Sequence, residues 1–256
     1  MPREWSRDEL VVAMNVYGRL TFGQLHARNP LVIDVAAKLD RTPGSLAMKL
    51  CNLASLDPAI TSTGRKGLSG ASELDRQVWA EFEANWDALG VESEQRFNEL
   101  MYRAPLPPEE QPVETDEWTR RGNTDVQRTV RQRQGQDFFR RTVLISYGNR
   151  CCITGMPVPA LLSASHIVAW KDDVPNRLNP RNGLCLAKPQ DAAFDRHLIT
   201  LDEDLRVVLS KSLRDHFASD AVRTSFAPFE GKSITLPYRF RPDPALLARH
   251  RAAFAG

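Results

Sequence analysis

A chain of 256 residues, 42% hydrophobic and 26% charged, can bury one large core or two modest ones, and this composition excludes a disordered chain. Its net charge of +2 singles out no partner. No apolar run is long enough to span a bilayer and no charged-apolar-small leader opens the chain, so no membrane partner and a cytoplasmic location are expected.

Residues 4–55 read as short helices. Ser6 with Glu9 forms a capping-box pattern before an apolar stripe of Leu10, Val11, Met14 and Tyr17. Pro30 suits a first helical turn, followed by Val32, Ile33, Val35, Ala36 and Leu39. A further helix is expected after Thr42 as cap and Pro43, with Leu46, Leu50 and Leu53 inward. The polar side of this pair presents Arg41, Ser45, Lys49 and Asn52, a helix-turn-helix pattern suited to DNA or simply to water. With Trp5 and the AAKLDRTPGSLAMKL segment, it resembles Myb-like three-helix DNA-binding domains. The loop Thr63–Gly70 is glycine-rich and carries Arg65 and Lys66, which suit phosphate contact or a plain surface loop. Another amphipathic helix is expected over 72–89, with Leu74, Val78, Phe82 and Trp86 on one side.

The stretch APLPPEEQPVETDE, residues 104–117, is proline-rich and acidic and reads as a linker. Arginines then recur at Arg120, Arg121, Arg128, Arg131, Arg133, Arg140 and Arg141, leading into a helix over 136–144. Phosphate contact by Arg140 and Arg141 competes here with a merely solvated face. The cysteines Cys51, Cys151, Cys152 and Cys185 contain no C-x-x-C pair, so buried free thiols are expected and no structural zinc.

The most informative stretch runs from Cys151 to Asp195. His166 lies in an apolar, strand-like run (Ser165-His166-Ile167-Val168). Asn182 opens a second such run, Asn182-Gly183-Leu184-Cys185-Leu186, Gln190-Asp191 stands at the start of a helix, and Phe194-Asp195 follows. Across residues 135–210 this pattern resembles the HNH nuclease family, in its branch reading "HI…NGL.L…FD" found in bacterial restriction and defence endonucleases. The resemblance implies a ββα-metal unit, with His166 as general base and Asn182 holding it across the hairpin loop. An imidazole suits that base, because an unperturbed pKa of about 6.5 leaves much of it neutral at cellular pH. Asn182 alone also reads as half of an Asn-Gly turn.

The third motif histidine is absent. Asp191 takes its place, Gln190 stands where related sequences carry histidine, and Ser165 precedes the base where an acid or histidine is usual. Asp191, Gln190 and Ser165 are therefore the expected ligands of Mg²⁺ or Mn²⁺, for which a hard carboxylate is suited. Asp195 is expected to buttress a ligand or to pair with Arg196, and His197 occupies a position usual for glycine. Lys171, Arg177 and Arg181, between the two strands, are placed for phosphate. His26, His216 and His250 have no nearby ligand pattern. A strand pair is expected over 198–209 around Asp202-Glu203-Asp204, and a last helix ends near Phe254.

The expected fold is α+β: a helical domain over 1–103, helix-turn-helix or Myb-like, a linker over 104–117, and an HNH nuclease domain with a C-terminal extension over 118–256. The expected function is a metal-dependent, homodimeric endonuclease of restriction or defence type acting on duplex DNA. The alternatives are a DNA-binding regulator or assembly protein with a degenerate HNH fold, and an RNA-cleaving toxin.

Overall fold

The computed structural model describes residues 3–62, 70–102 and 123–254, the first six of the last stretch by backbone alone. Arg65, Lys66, Arg120, Arg121 and the expected linker lie outside the described residues. In chain order the helices are α1 (Arg7–Arg19), α2 (Pro30–Lys38), α3 (Pro43–Leu56), α4 (Pro58–Thr61), α5 (Glu73–Ala84), α6 (Trp86–Tyr102) and α7 (Asn123–Ser146). The strands β1 (Leu162–His166) and β2 (Gly183–Ala187) follow, then α8 (Lys188–Asp195), β3 (Ile199–Leu201) and β4 (Val207–Leu209). The short helices α9 (Lys211–Arg214) and α10 (Asp220–Phe226) lead to the last helix, α11 (Pro244–Ala253). The protein is α+β, with two small sheets among helices. No described helix is long and apolar enough to cross a membrane.

The chain forms two compact units. The first holds α1, α2, α3, α5, α6 and α7 as far as Phe138. The second holds α4, the rest of α7 from Phe139, and everything described after it.

In the first unit, Ser6 and Glu9 close the capping box at the start of α1, whose Leu10, Val11, Val16 and Tyr17 are fully buried. Asn29 caps α2, with Pro30 in its first turn. The Thr42 hydroxyl accepts from the Ser45 N–H at 3.2 Å, and Leu46, Leu50 and Leu53 of α3 are fully buried. The helix expected over 72–89 is two: α5 ends at Ala84, and Asn85 leaves the helical conformation before α6. The Asn85 side chain then accepts from the Ala88 N–H, so this residue stops one helix and starts the next.

In the second unit, β1 and β2 form an antiparallel pair with His166 opposite Gly183, Ser165 opposite Leu184 and Leu162 opposite Ala187. All five residues of β2 are buried, which explains its unbroken apolar run. Helix α8 begins directly after β2 and packs on both strands, completing a ββα unit. The strands β3 and β4 pair antiparallel around the Asp202–Asp204 turn. Helix α11 is seated by His250, whose ring stacks on Phe194 with centroids 3.7 Å apart.

Candidate active site

His166 is the last residue of β1, so the strand fixes its backbone at the end of the hairpin where the connecting loop begins. The ring is stacked on Phe139 of α7, centroids 4.0 Å apart and planes within 9° of parallel, and meets Trp170 edge-on at 5.7 Å. Its Nε2 lies 2.9 Å from the Arg177 carbonyl oxygen. A carbonyl only accepts, so Nε2 carries the hydrogen and Nδ1 is left with the lone pair. Burial lowers the imidazole pKa below its ordinary value, against the opposing pull of the Arg177 carbonyl and the Asp191 charge. The neutral ring with a basic Nδ1 is therefore the form present at neutral pH.

Asn182 is fully buried. Its Oδ1 accepts from the Val168 N–H at 2.8 Å, and its Nδ2 donates to the carbonyls of Val168 at 3.0 Å and Asn176 at 3.1 Å. One amide thus closes the loop between the strands at both ends, next to the residue that follows His166. Gly183 is not a turn glycine: its φ of −127° is ordinary extended backbone. Its requirement is space, since a Cβ there would lie 2.4 Å from a Val143 methyl and 3.0 Å from the edge of Phe139.

Helix α8 supplies the carboxylates. Asp191 and Asp195, four residues apart, share one side of the helix. The Asp191 charge reaches both His166 and Asp195. Partial burial, and next the Asp191 charge, push the Asp195 carboxyl above the usual carboxylate range, while Arg196, the Ser165 hydroxyl and His197 work the other way. Ser165 is buried and lies beside Asp195, short of a well-formed hydrogen bond. Asp195, expected to buttress a ligand or to pair with Arg196, thus lies within reach of the Asp191 charge. The available signal was its spacing of one helical turn from Asp191.

Gln190 corrects the expected ligand set. One position before Asp191, it is rotated to another side of α8, buried, and donates its amide to the Ser225 carbonyl at 2.9 Å. Among the described residues, no three His, Cys, Asp or Glu side chains converge to hold a metal ion. The donor set of Asp191, Asp195 and the buried Ser165 hydroxyl does fit a hard divalent cation that keeps several waters. The Asp191 charge makes ionisation of Asp195 costlier, a penalty that such an ion would relieve.

Several expected phosphate contacts are committed elsewhere. The Arg41 side chain is buried, pairs with Glu9 at 2.9 Å, donates to the Arg3 and Glu4 carbonyls, and covers the Trp5 ring at 4.6 Å. Lys49 pairs at 2.9 Å with Asp75, which is fully buried. Both cations are engaged in ion pairs within the first unit. Ser45 is half-buried beside Thr42. In the second unit Arg181 faces the fully buried Asp57 with Arg239, so it serves a buried acid. Arg140 donates to the Leu162 carbonyl at 2.9 Å, tying α7 to β1. Arg177 donates its Nε to the Trp170 carbonyl at 2.7 Å, and Arg141 is half-buried. Lys171 is exposed.

The cysteines are free thiols, with Cys151, Cys152 and Cys185 buried. Burial pushes the Cys185 thiol up to about 12, so it stays protonated and unreactive.

Residues 151–202 match the family model for HNH endonuclease. The match spans β1, the loop, β2 and α8, the ββα unit, and points to nuclease activity on nucleic acid. No curated protein sequence matches the chain.

Proposed function

We propose that this chain is a metal-dependent endonuclease that hydrolyses duplex DNA, with His166 as general base. The observation carrying this reading is the hydrogen bond from His166 Nε2 to the Arg177 carbonyl, which aims a neutral, basic Nδ1 away from the loop. Asp191 and Asp195, with the Ser165 hydroxyl, would hold a Mg²⁺ or Mn²⁺ ion. Such an ion supplies charge neutralisation at the scissile phosphate and the leaving oxygen. His166 Nδ1 takes a proton from water as the water oxygen bonds to phosphorus, and the P–O bond to the leaving oxygen breaks. Asn182 holds the loop that carries the Arg177 carbonyl and so keeps the base in one tautomer.

DNA as the substrate is favoured by the three-helix arrangement of α1, α2 and α3, with the exposed Lys171 as a phosphate contact of the second unit. Two nicks on opposite strands require two copies of His166, hence a homodimer acting in the cytoplasm in restriction or defence. His166→Ala should lose divalent-dependent plasmid nicking by at least about 100-fold while keeping its DNA affinity. Nicking at the wild-type rate in that variant would exclude the base.

A second reading, a DNA-binding regulator or assembly protein on a degenerate HNH fold, is favoured by the commitment of Gln190 to Ser225. Mn²⁺ titration separates the two: a degenerate site binds no Mn²⁺ and cleaves neither DNA nor structured RNA.

A further inference from the structure

The loop that orients His166 is held from outside as well as by Asn182. Beyond the family-matched segment, α11 is fixed on the core by His250, which is buried between Phe194 and Thr200. Its ring nitrogens bond the Thr200 hydroxyl at 2.8 Å and the Phe194 carbonyl at 3.1 Å. The preceding residue, Arg249, reaches to the loop, where its guanidinium pairs with the Asp173 carboxylate and donates to the Asp172 carbonyl at 3.3 Å. At the helix start, the Asp243 N–H donates to the Arg181 carbonyl at 3.0 Å.

Asp173 passes this restraint inward. Its other carboxylate oxygen accepts from the Asn176 side chain at 3.0 Å, and its carbonyl accepts from the Asn176 N–H at 3.2 Å. The Asn176 carbonyl is one of the two held by Asn182, and Asn176 Oδ1 accepts from Asn179 Nδ2 at 2.8 Å. The next residue, Arg177, supplies the carbonyl that receives the His166 hydrogen. Three side chains, Arg249, Asp173 and Asn176, thus link a buried anchor on α11 to the carbonyl that meets the His166 Nε2. Arg249 is about half exposed at 49%, whereas Asp173 is only 10% exposed, so the pair is sheltered on the loop side. Losing the guanidinium would leave a sheltered carboxylate unpaired beside Asn176.

We propose that Arg249 is a positioning residue for the nuclease reaction. Through Asp173 and Asn176 it sets the Arg177 carbonyl and thereby holds His166 in the Nε2–H tautomer. This rests on the reading of His166 as the base, but its first readout does not require cleavage.

The test uses the full chain with ¹⁵N-labelled histidine, the His166 signals being assigned by their loss in His166→Ala. Long-range ¹H–¹⁵N correlation reports which ring nitrogen carries the hydrogen. Wild type and the neighbouring control Arg251→Ala should show the Nε2–H form. Arg249→Ala should show a mixture of the two tautomers and cut plasmid DNA in Mn²⁺ about tenfold or more slowly in a single turnover, with DNA affinity unchanged. Arg249→Lys, which keeps a cation for Asp173, should recover most of both. A wild-type tautomer in Arg249→Ala overturns the proposal, whether the rate is kept or falls together with the melting temperature. If the wild type cuts nothing, the reading of His166 as a nuclease base fails, and the tautomer still decides the role of Arg249.

Discussion

The ring of Phe139 lies flat on the imidazole of His166, and Gly183 completes the contact from the neighbouring strand. Because Gly183 pairs with His166 across the hairpin, helix α7 can settle on both only if that position has no side chain. Gly183→Ala should therefore cost about 1–3 kcal/mol by overpacking. Val143→Ala should restore part of that loss, so that the double variant is more stable than the sum of the singles. Urea denaturation of the four proteins measures this coupling.

Asn182 should be intolerant of change for a reason independent of catalysis. Asn182→Ala strips partners from the Val168 N–H and from two carbonyls, each buried orphan costing about 1–3 kcal/mol. Asn182→Asp keeps the acceptor for Val168 but turns a carboxylate toward the Val168 and Asn176 carbonyls. Both variants should melt well below wild type, and both should lose nicking along with His166→Ala.

Acid should weaken the second unit through His250. Burial, chiefly, lowers its pKa to about 4, against an ordinary value of 6.5. Its stabilising effect is complete above about pH 6.5 and is lost as pH falls toward 4, because the unfolded ring takes up a proton that the folded one refuses. Between pH 7.5 and 5 the loss is about 2 kcal/mol. His166, also lowered by burial, adds in the same direction. His250→Gln should start less stable and show a shallower decline in urea unfolding over this range.

Removing a cation from α3 should affect folding and not binding. Lys49→Ala leaves the buried Asp75 carboxylate unpaired, at a cost of about 3–5 kcal/mol. Arg41→Ala should likewise lower the melting temperature. Neither should change the salt dependence of nucleic-acid affinity at a temperature where both remain folded, since neither meets a phosphate. A reduced salt slope in either variant would restore it to the binding face.

Local signals in the sequence placed the elements well. The Ser6–Glu9 box, Pro30, Thr42-Pro43 and the apolar run around His166 all act within a few residues of themselves, and such patterns are visible in one dimension, although the strand stops at His166, short of the Val168 that the run suggested. The partners of Arg41 and Lys49 were not visible, because Glu9 and Asp75 lie 32 and 26 positions away and meet them only in the folded helices. Gln190 and Asp191 differ by one helical step, so which of them faces β1 depends on where α8 begins, the least legible property of a short helix. The need for Gly183 came from α7, far upstream, and looked instead like a turn. Asp195 and Arg196 suggested an adjacent pair, yet Arg196 turns back to the Ala192 carbonyl at 3.0 Å.

The stacking of His250 on Phe194 bears on how this ββα unit can be moved between proteins. The stretch that carries the family pattern ends well before α11 and starts after Phe139, yet it takes a wall from each. Grafting the motif alone onto a new carrier would export the chemistry without its scaffolding. A portable cassette must begin upstream of the aromatic lid and keep the terminal clasp, so gene fusion is expected to preserve both flanks intact.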